Sequence, residues 1–461
     1  MLRNGALPPE PHEPQEGRPY TTYNVHNFRD IPQIARLTED QRFSIEVVAQ
    51  VLPFKANNYV VEELINWANV PNDPIFTLTF PQREMLSDEH FEEIATLMRS
   101  CASRAEIAEK ANEIRLTLNP HPAGQMEHNV PIMEEQRLAG MQHKYEETVL
   151  FFPSAGQTCH AYCTFCFRWP QFVGMGGLKF AMKEANELVD YLAEHPNVTD
   201  VLITGGDPMI MKSKRFAVYI DTILAADPVN LRTIRIGTKS LAYWPYRYTE
   251  DADAEQMLTI FRRIVASGRH LAIMSHFNHP AELSTSAVRE AIRRIRSTGA
   301  QIRTQSPVMR NINDDAETWT RMWREQVRLG LIPYYMFVAR DTGAKHYFET
   351  PLVRAAEIFR GAYSKVSGLG RTVRGPSMSA DPGKIAVLGP AEVRGEKVLA
   401  LLMLQGRDPD WVMRPFFAEY DETATWLDEL NPAFGEEKFF FEDGLEERYH
   451  EDEIRTAALT N

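Results

Sequence analysis

Three of the four cysteines in this 461-residue chain crowd into one stretch, Cys159-His-Ala-Tyr-Cys163-Thr-Phe-Cys166, while Cys101 stands apart. Thiolates are the usual ligands of iron–sulfur clusters, and a four-iron cube has four iron corners. Three cysteines at this spacing fill three corners and leave one iron open. An open iron can chelate the amino and carboxylate groups of S-adenosylmethionine and pass it an electron. The sulfonium then breaks into methionine and a 5′-deoxyadenosyl radical, hard chemistry that belongs to the cofactor. The alternatives are three unrelated thiols or a zinc site. Zinc normally takes a fourth Cys or His, and His160, adjacent to a ligand, is awkwardly placed for that role.

Other residues have chemical potential in context. Arg168 lies two residues past the last clustered cysteine, where a guanidinium could fork onto a substrate carboxylate or simply face water. Gly205-Gly206-Asp207 lets backbone come close to a ligand, because glycine has no Cβ; in isolation the triplet is a turn. Its carbonyls and carboxylate could receive an ammonium group. His276-Phe-Asn-His279-Pro could suggest a metal, although a turn with satisfied histidines is the commoner outcome. Lys384 follows a Gly/Pro turn in Ala380-Asp-Pro-Gly-Lys-Ile385, and a lysine there could form an imine with pyridoxal phosphate or be an ordinary turn lysine.

These residues need a scaffold. From about residue 149 the sequence alternates strand-like and helix-like stretches. The strands expected are Val149–Phe152, Asp200–Thr204, Arg232–Gly237, His270–Ser275, Gln301–Ser306 and Tyr334–Ala339. The helices between them are Glu184–Ala193, Lys214–Ala225, Ala254–Ala266, Thr285–Ser297 and Glu317–Leu329. Six such units imply right-handed crossovers and a parallel sheet, an α/β fold that could close as a full or partial barrel. Chemistry then sits at the C-terminal strand ends. The cysteine stretch follows the first strand and Gly205-Gly206-Asp207 the second; His276 follows the fourth, and Gln305, Ser306 and Arg310 fall at or past the end of the fifth.

Residues 1 to about 20 are polar and Pro-rich and are expected to be a flexible tail. From about 28 to 142 the pattern is mostly helical, with a capped helix at Ser87–Met98. Past about 383 come a strand, Lys384–Leu388, and an acidic region, Phe434–Glu453. No run of about 18 apolar residues predicts a membrane span. A net charge of −13 argues against a general nucleic-acid binder. Few cysteines, mostly clustered, suit a reducing cytoplasm.

The series CxxxCxxC-x-R, GGD, SHFNHP, TQSPVMRNIND, PYYMF, YFETP and DPGKI, in this order, resembles lysine 2,3-aminomutase and its relatives. The resemblance runs from about His143 to Leu388. It implies a partial (β/α)6 barrel over residues 143–352, between a helical N-terminal extension (1–142) and a C-terminal region (353–461). It implies a [4Fe-4S] cluster on Cys159, Cys163 and Cys166, S-adenosyl-L-methionine near Gly205, Gly206, Asp207 and His276, and pyridoxal 5′-phosphate on Lys384 with Gln305 near its phosphate. Arg168 would hold the α-carboxylate of a free amino acid whose α-amino group moves to the β-carbon. An electron donor such as flavodoxin or ferredoxin and a homo-oligomeric state are also implied.

The departures matter. Where the lysine-specific enzymes grip the distant ammonium with two aspartates, this chain has Arg340 and Ser377; Asp341 and Asp381 lie nearby but out of register. An arginine there would repel lysine and attract an anion, as in glutamate 2,3-aminomutase. Phosphate-binding arginines appear as Lys144 and Thr148, and the Gly-rich run before the lysine shrinks to Asp-Pro-Gly. No cysteine follows Cys166, so a C-terminal zinc cluster is not expected. The expectation is therefore an aminomutase for an acidic or polar amino acid. Alternatives are a pyridoxal-free radical enzyme on the same scaffold, a lysine 2,3-aminomutase proper, or a non-catalytic iron–sulfur or zinc protein.

Overall fold

The computed structural model describes residues 18–119, 129–133, 136–173, 181–182 and 185–459, with side chains up to residue 451. Most of the expected N-terminal tail, and Glu184 at the start of an expected helix, lie outside the described residues.

An eleven-stranded sheet organises the molecule, and its strands lie side by side in chain order. They are β1 (Met141–Tyr145), β2 (Thr148–Phe151), β3 (Asp200–Ile203), β4 (Thr233–Thr238), β5 (His270–His276), β6 (Gln301–Val308), β7 (Ile332–Val338), β8 (Arg374–Ser379), β9 (Gly383–Val393), β10 (Glu396–Gly406) and β11 (Pro415–Glu419). β2 to β8 run parallel. β1 is antiparallel to β2, and β9 to β11 extend the other edge as antiparallel strands. Each parallel pair needs a long return, usually through a helix. The N-terminal helices α1 (Glu39–Val51), α2 (Asp88–Arg99) and α3 (Arg104–Thr117) precede the sheet. The returns hold α4 (Asn186–Glu194), α5 (Ser213–Ala226), α6 (Ala254–Ala266), α7 (Ser286–Arg296), α8 (Ala316–Arg328) and α9 (Leu352–Tyr363), and α10 (Glu442–Leu459) follows the last strand.

All six expected strands and all five expected helices between them form, within a few residues of the anticipated bounds. The structure adds β8 as a seventh parallel strand. Its sequence, Arg-Gly-Pro-Ser-Met-Ser, has little strand preference of its own; it is extended because β7 and β9 pair with it on either side. The sheet is alternately fully and partly buried. On β4, Ile234, Ile236 and Thr238 are buried while Thr233, Arg235 and Gly237 are half-buried. Pairing puts Leu202 and Arg235 on one face, and carries that face through Gly237, Met274 and Arg303 to His276 and Gln305. Sheets of this kind are normally covered on both faces. Here the second face carries charge and is left partly open.

The N-terminal helices use strong caps. Thr38 with Gln41, and Ser103 with Glu106, form capping boxes, and Ser87 accepts from His90 N at the start of α2. One apolar core runs continuously from Phe28 to Val373, so these helices and the sheet share an interior. A second core packs the β9–β11 edge against Trp411, Trp426, Phe439 and Phe441. Among the described residues no helix is long and apolar enough to cross a membrane.

Candidate active site

The cysteine stretch emerges just past β2 and is held from two sides. On one side, Lys55 Nζ donates to Cys159 O (2.7 Å), and Tyr20 Oη and Asn57 Nδ2 donate to His160 O (2.5 and 3.2 Å). Tyr162 N donates to Lys55 O and Thr164 N to Leu78 O, at 2.7 and 3.0 Å. On the other side lies the turn after β3. Gly206 N and Asp207 N donate to Gly156 O (both 3.1 Å), and Asp207 N also to Thr158 O (2.8 Å). Both glycines are accounted for by this approach. A Cβ on Gly206 would sit 2.6 Å from Thr158 N and O, and one on Gly205, whose φ is +148°, would meet Gln157 Nε2 at 2.5 Å.

Cys159, Cys163 and Cys166 are partly accessible yet deep among protein atoms, the combination a cavity wall gives. Burial pushes their thiols up, to about 11 for Cys163 and about 12 for Cys166, and the neighbouring cysteines raise Cys159 and Cys166 further. Such thiols are surrendered as thiolates when a metal's charge replaces the proton. Among the described residues no three His, Cys, Asp or Glu side chains are drawn together as a single metal ion requires. His160 is buried and packs edge-on to Tyr20, with ring centroids 6.0 Å apart.

Asp207 is buried, and its carboxylate is engaged from within. Thr238 Oγ1 donates to both oxygens (2.7 and 2.9 Å), Met209 N to Oδ1 and Lys239 N to Oδ2 (2.9 Å each). Burial raises its pKa to about 6 despite these bonds. Asp207 therefore ties the end of β4 to the turn under the cysteines. His276 ends β5, and its ring stands 5.8 Å from that of Phe165, inside the cysteine stretch. Burial, then Lys239, push its imidazole well below its ordinary value, so it is neutral. His279 instead accepts from Ala281 N and caps a turn. Asn278, unflagged by the sequence, joins β4, β5 and β6: it accepts from Lys239 Nζ (2.7 Å) and donates to Ser306 Oγ (2.8 Å). Lys239 also meets the buried carboxylate of Glu282 at 2.6 Å. Arg310 is bound to His346 O and Tyr347 O.

Arg168 and Arg340 lie close enough to repel one another. The Arg168 guanidinium lies over the Phe152 ring at 4.2 Å and has no hydrogen bond or ion pair among the described residues. Burial lowers its pKa to about 10, with Arg340 contributing repulsion. Arg340 lies between the rings of Phe167 and Trp426, at 5.6 and 5.8 Å. Its Nε is buried without a hydrogen-bond partner, the carboxylate of Asp341 standing 3.9 Å away. The Ser377 hydroxyl on β8 is fully buried and also lacks a partner.

Lys384 opens β9, opposite Ser379 and Gln405. Its Nζ donates to Gln405 Oε1 at 3.0 Å and lies 5.2 and 5.1 Å from the ring centroids of Tyr145 and Tyr335. Burial, reinforced by Arg235 and Arg374, brings its pKa down to about 7. Arg374 stacks on the same Tyr335 ring at 4.3 Å. Gln305 pairs with His276 on one side and Tyr335 on the other, between the cysteine end and the lysine end of the cavity. Lys144 donates to Ala380 O at 2.5 Å, four residues before Lys384. Thr148 pairs with Asp200, which holds Arg235 at 2.8 Å. The structure thus gathers around Lys384 cations that come from β1, β4 and β8 (Lys144, Arg235 and Arg374), a grouping no local motif announces.

The fold and site define an α/β enzyme with a three-cysteine loop at the C-terminal end of a parallel sheet and an activated lysine inside it. No family model matches the chain. It is 29% identical over 409 residues to the "Putative L-lysine 2,3-aminomutase" of Aquifex aeolicus, covering 89% of this chain and 96% of that protein. It is 28% identical over 235 residues to the L-lysine 2,3-aminomutase of Fusobacterium nucleatum and 27% over 229 residues to that of Clostridium subterminale. The matched segments span about half of this chain and of those two proteins (51% and 52%, 50% and 51%). The crystal structure of Streptococcus suis SuiB bound to precursor peptide SuiA is 11% identical, covering 59% of this chain and 56% of that one, with a TM-score of 0.33, a likeness too loose to bear on the fold. The chain is thus similar, over half of its length or more, to proteins named L-lysine 2,3-aminomutase.

Proposed function

We propose that the enzyme is a pyridoxal phosphate-dependent 2,3-aminomutase acting on a free amino acid with an acidic side chain, its sheet curved as a partial (β/α)6 barrel. One observation carries this reading: two neighbouring guanidiniums are largely desolvated, Arg168 with no ion pair among the described residues and Arg340 with the Asp341 carboxylate 3.9 Å away. A buried charge without a counter-ion costs several kcal/mol, so these positions fit anionic ligand groups.

The residues fit the implied groups. Cys159, Cys163 and Cys166 would hold a [4Fe-4S] cluster with an open iron for S-adenosylmethionine, beside His276 and the turn of Gly205, Gly206 and Asp207. Lys384 would take pyridoxal phosphate, with the tyrosine rings as walls and Lys144, Arg235 and Arg374 as cations for its phosphate. When bound, these groups supply a 5′-deoxyadenosyl radical to remove a β-hydrogen and a π-system through which nitrogen can migrate. The chain's own part is binding and proton control. Arg168 holds the α-carboxylate, fixing Cβ toward the cysteine end. Arg340 holds the side-chain acid; a charge-assisted contact of this kind contributes about 1.5–3 kcal/mol. Lys384, about half neutral near pH 7, presents a free amine for imine chemistry. The rings of Phe152, Phe167 and Trp426 pack against the two guanidiniums.

The test is anaerobic reconstitution followed by an amino-acid panel scored for β-amino isomers by mass and chromatography. L-glutamate or another acidic amino acid is expected to lead. A second reading has one observation in its favour: Asp341 lies 3.9 Å from Arg340 and could receive a lysine ammonium. L-lysine as the best substrate would establish that reading and overturn the first.

A further inference from the structure

The acidic C-terminal region reaches the lysine-bearing segment. Phe439 and Phe441 anchor the start of α10 in the second core. Its first turns then lay two side chains on the loop before β9 and the loop after β10. Arg448 pairs with Asp408 at 2.7 Å, and the Tyr449 hydroxyl donates to Asp381 Oδ2. Asp381 is three residues before Lys384. Its other oxygen accepts from Arg407 Nη2 (3.0 Å), and Arg407 Nε donates to its carbonyl (2.9 Å). Lys144 holds the preceding carbonyl, of Ala380. Asp381 is thus held by one bond per carboxylate oxygen, and its charge is also felt by Lys144 and Arg340.

We propose that Tyr449 is a positioning residue that sets the charge of the substrate pocket. By holding Asp381 Oδ2 toward α10, it keeps this carboxylate from turning in and neutralising Arg340 and Lys144, and so preserves a cationic end for an acidic side chain. The inference rests on the acid-binding reading of the site. Its logic is charge competition. A substrate carboxylate and the Asp381 carboxylate would seek the same cations, and a carboxylate tethered three residues from Lys384 has the advantage of high effective concentration.

Reconstituted holoenzyme is compared as the unmodified chain, Tyr449→Phe, Asp381→Asn and the double variant. The readings are KM and kcat for the acidic amino acid that leads the panel, and its Kd by calorimetry. Tyr449→Phe is expected to raise KM and Kd roughly tenfold, the scale of one hydrogen bond to a charged group, with kcat much less affected. Adding Asp381→Asn removes the competing charge and should return KM and Kd toward the unmodified values. A general structural defect would not be rescued in this way. Unchanged binding in Tyr449→Phe, or a loss that Asp381→Asn leaves in place, overturns the proposal. So does an Asp381→Asn single variant with weakened binding of the acid. If the unmodified enzyme shows no preference for acidic amino acids, the reading of the pocket itself fails, which the panel reveals before any variant is made.

Discussion

Individual side chains carry the sharpest expectations. Cys163→Ala should abolish 5′-deoxyadenosine formation by the reduced, reconstituted protein, whereas Cys101→Ala should leave it intact, since Cys101 is exposed and remote from the motif. Full 5′-deoxyadenosine formation in Cys163→Ala would refute the ligand assignment. Lys384 gives a pH signature. Its burial disfavours the ammonium, so the folded-state pKa of about 7 lies below the ordinary 10.5. The destabilisation is complete below about pH 7 and fades as pH climbs from there toward 10.5, because over that interval the unfolded chain binds the extra proton. Amine-directed labelling read by peptide mass should give Lys384 a midpoint near pH 7; a midpoint near that of surface lysines would show that the amine is not activated. The cysteines, Arg168 and Lys384 were legible because each stands in a short motif. Arg235 and Arg374 were not, since they lie far apart in the chain and meet beside Lys384 only through the order of the strands.

At the scale of elements, the turn after β3 supports the cysteine loop. Gly206→Ala would drive a methyl into backbone atoms of Thr158 that cannot swing aside. The loop must move, and a backbone displacement of this kind costs about 1–3 kcal/mol. The expected outcome is a folded protein with reduced iron retention and a lower Tm. Iron binding and Tm equal to the unmodified chain would show that the loop yields freely. The succession of strands was readable from alternating texture, and so was the start of α2, because Ser87 is a strong cap. β8 was missed for a physical reason: Gly375, Pro376 and the serines disfavour extended pairing in isolation, and only two established neighbours impose it. The role of Asp207 was also hidden. A carboxylate after two glycines suggests a ligand contact, yet its four bonds run to Thr238, Met209 and Lys239.

For the whole molecule, the charge balance of −13 conceals a cationic interior. Lys144, Arg168, Arg340 and Lys384 all have depressed pKa values, burial being the first cause in each. Ligand anions that relieve this repulsion bind the folded state alone and raise its stability by mass action, about 2.7 kcal/mol at a hundredfold excess over Kd. Thermal melts of the cofactor-free protein should therefore rise with inorganic phosphate more than with chloride of equal ionic strength. Arg340→Gln should diminish that difference. Equal shifts with the two salts would mean that only general screening is at work.

The clamp on the cysteine loop also has an order in time. Tyr20, Lys55, Asn57, Thr77 and Leu78 all leave the ribosome before Cys159, while Gly205 and Gly206 follow it. Synthesis proceeds from the N-terminus at roughly 5–20 residues per second. The nascent loop therefore emerges to find one half of its mould already made and the other half seconds away. In that interval the cysteine segment is held on one flank only.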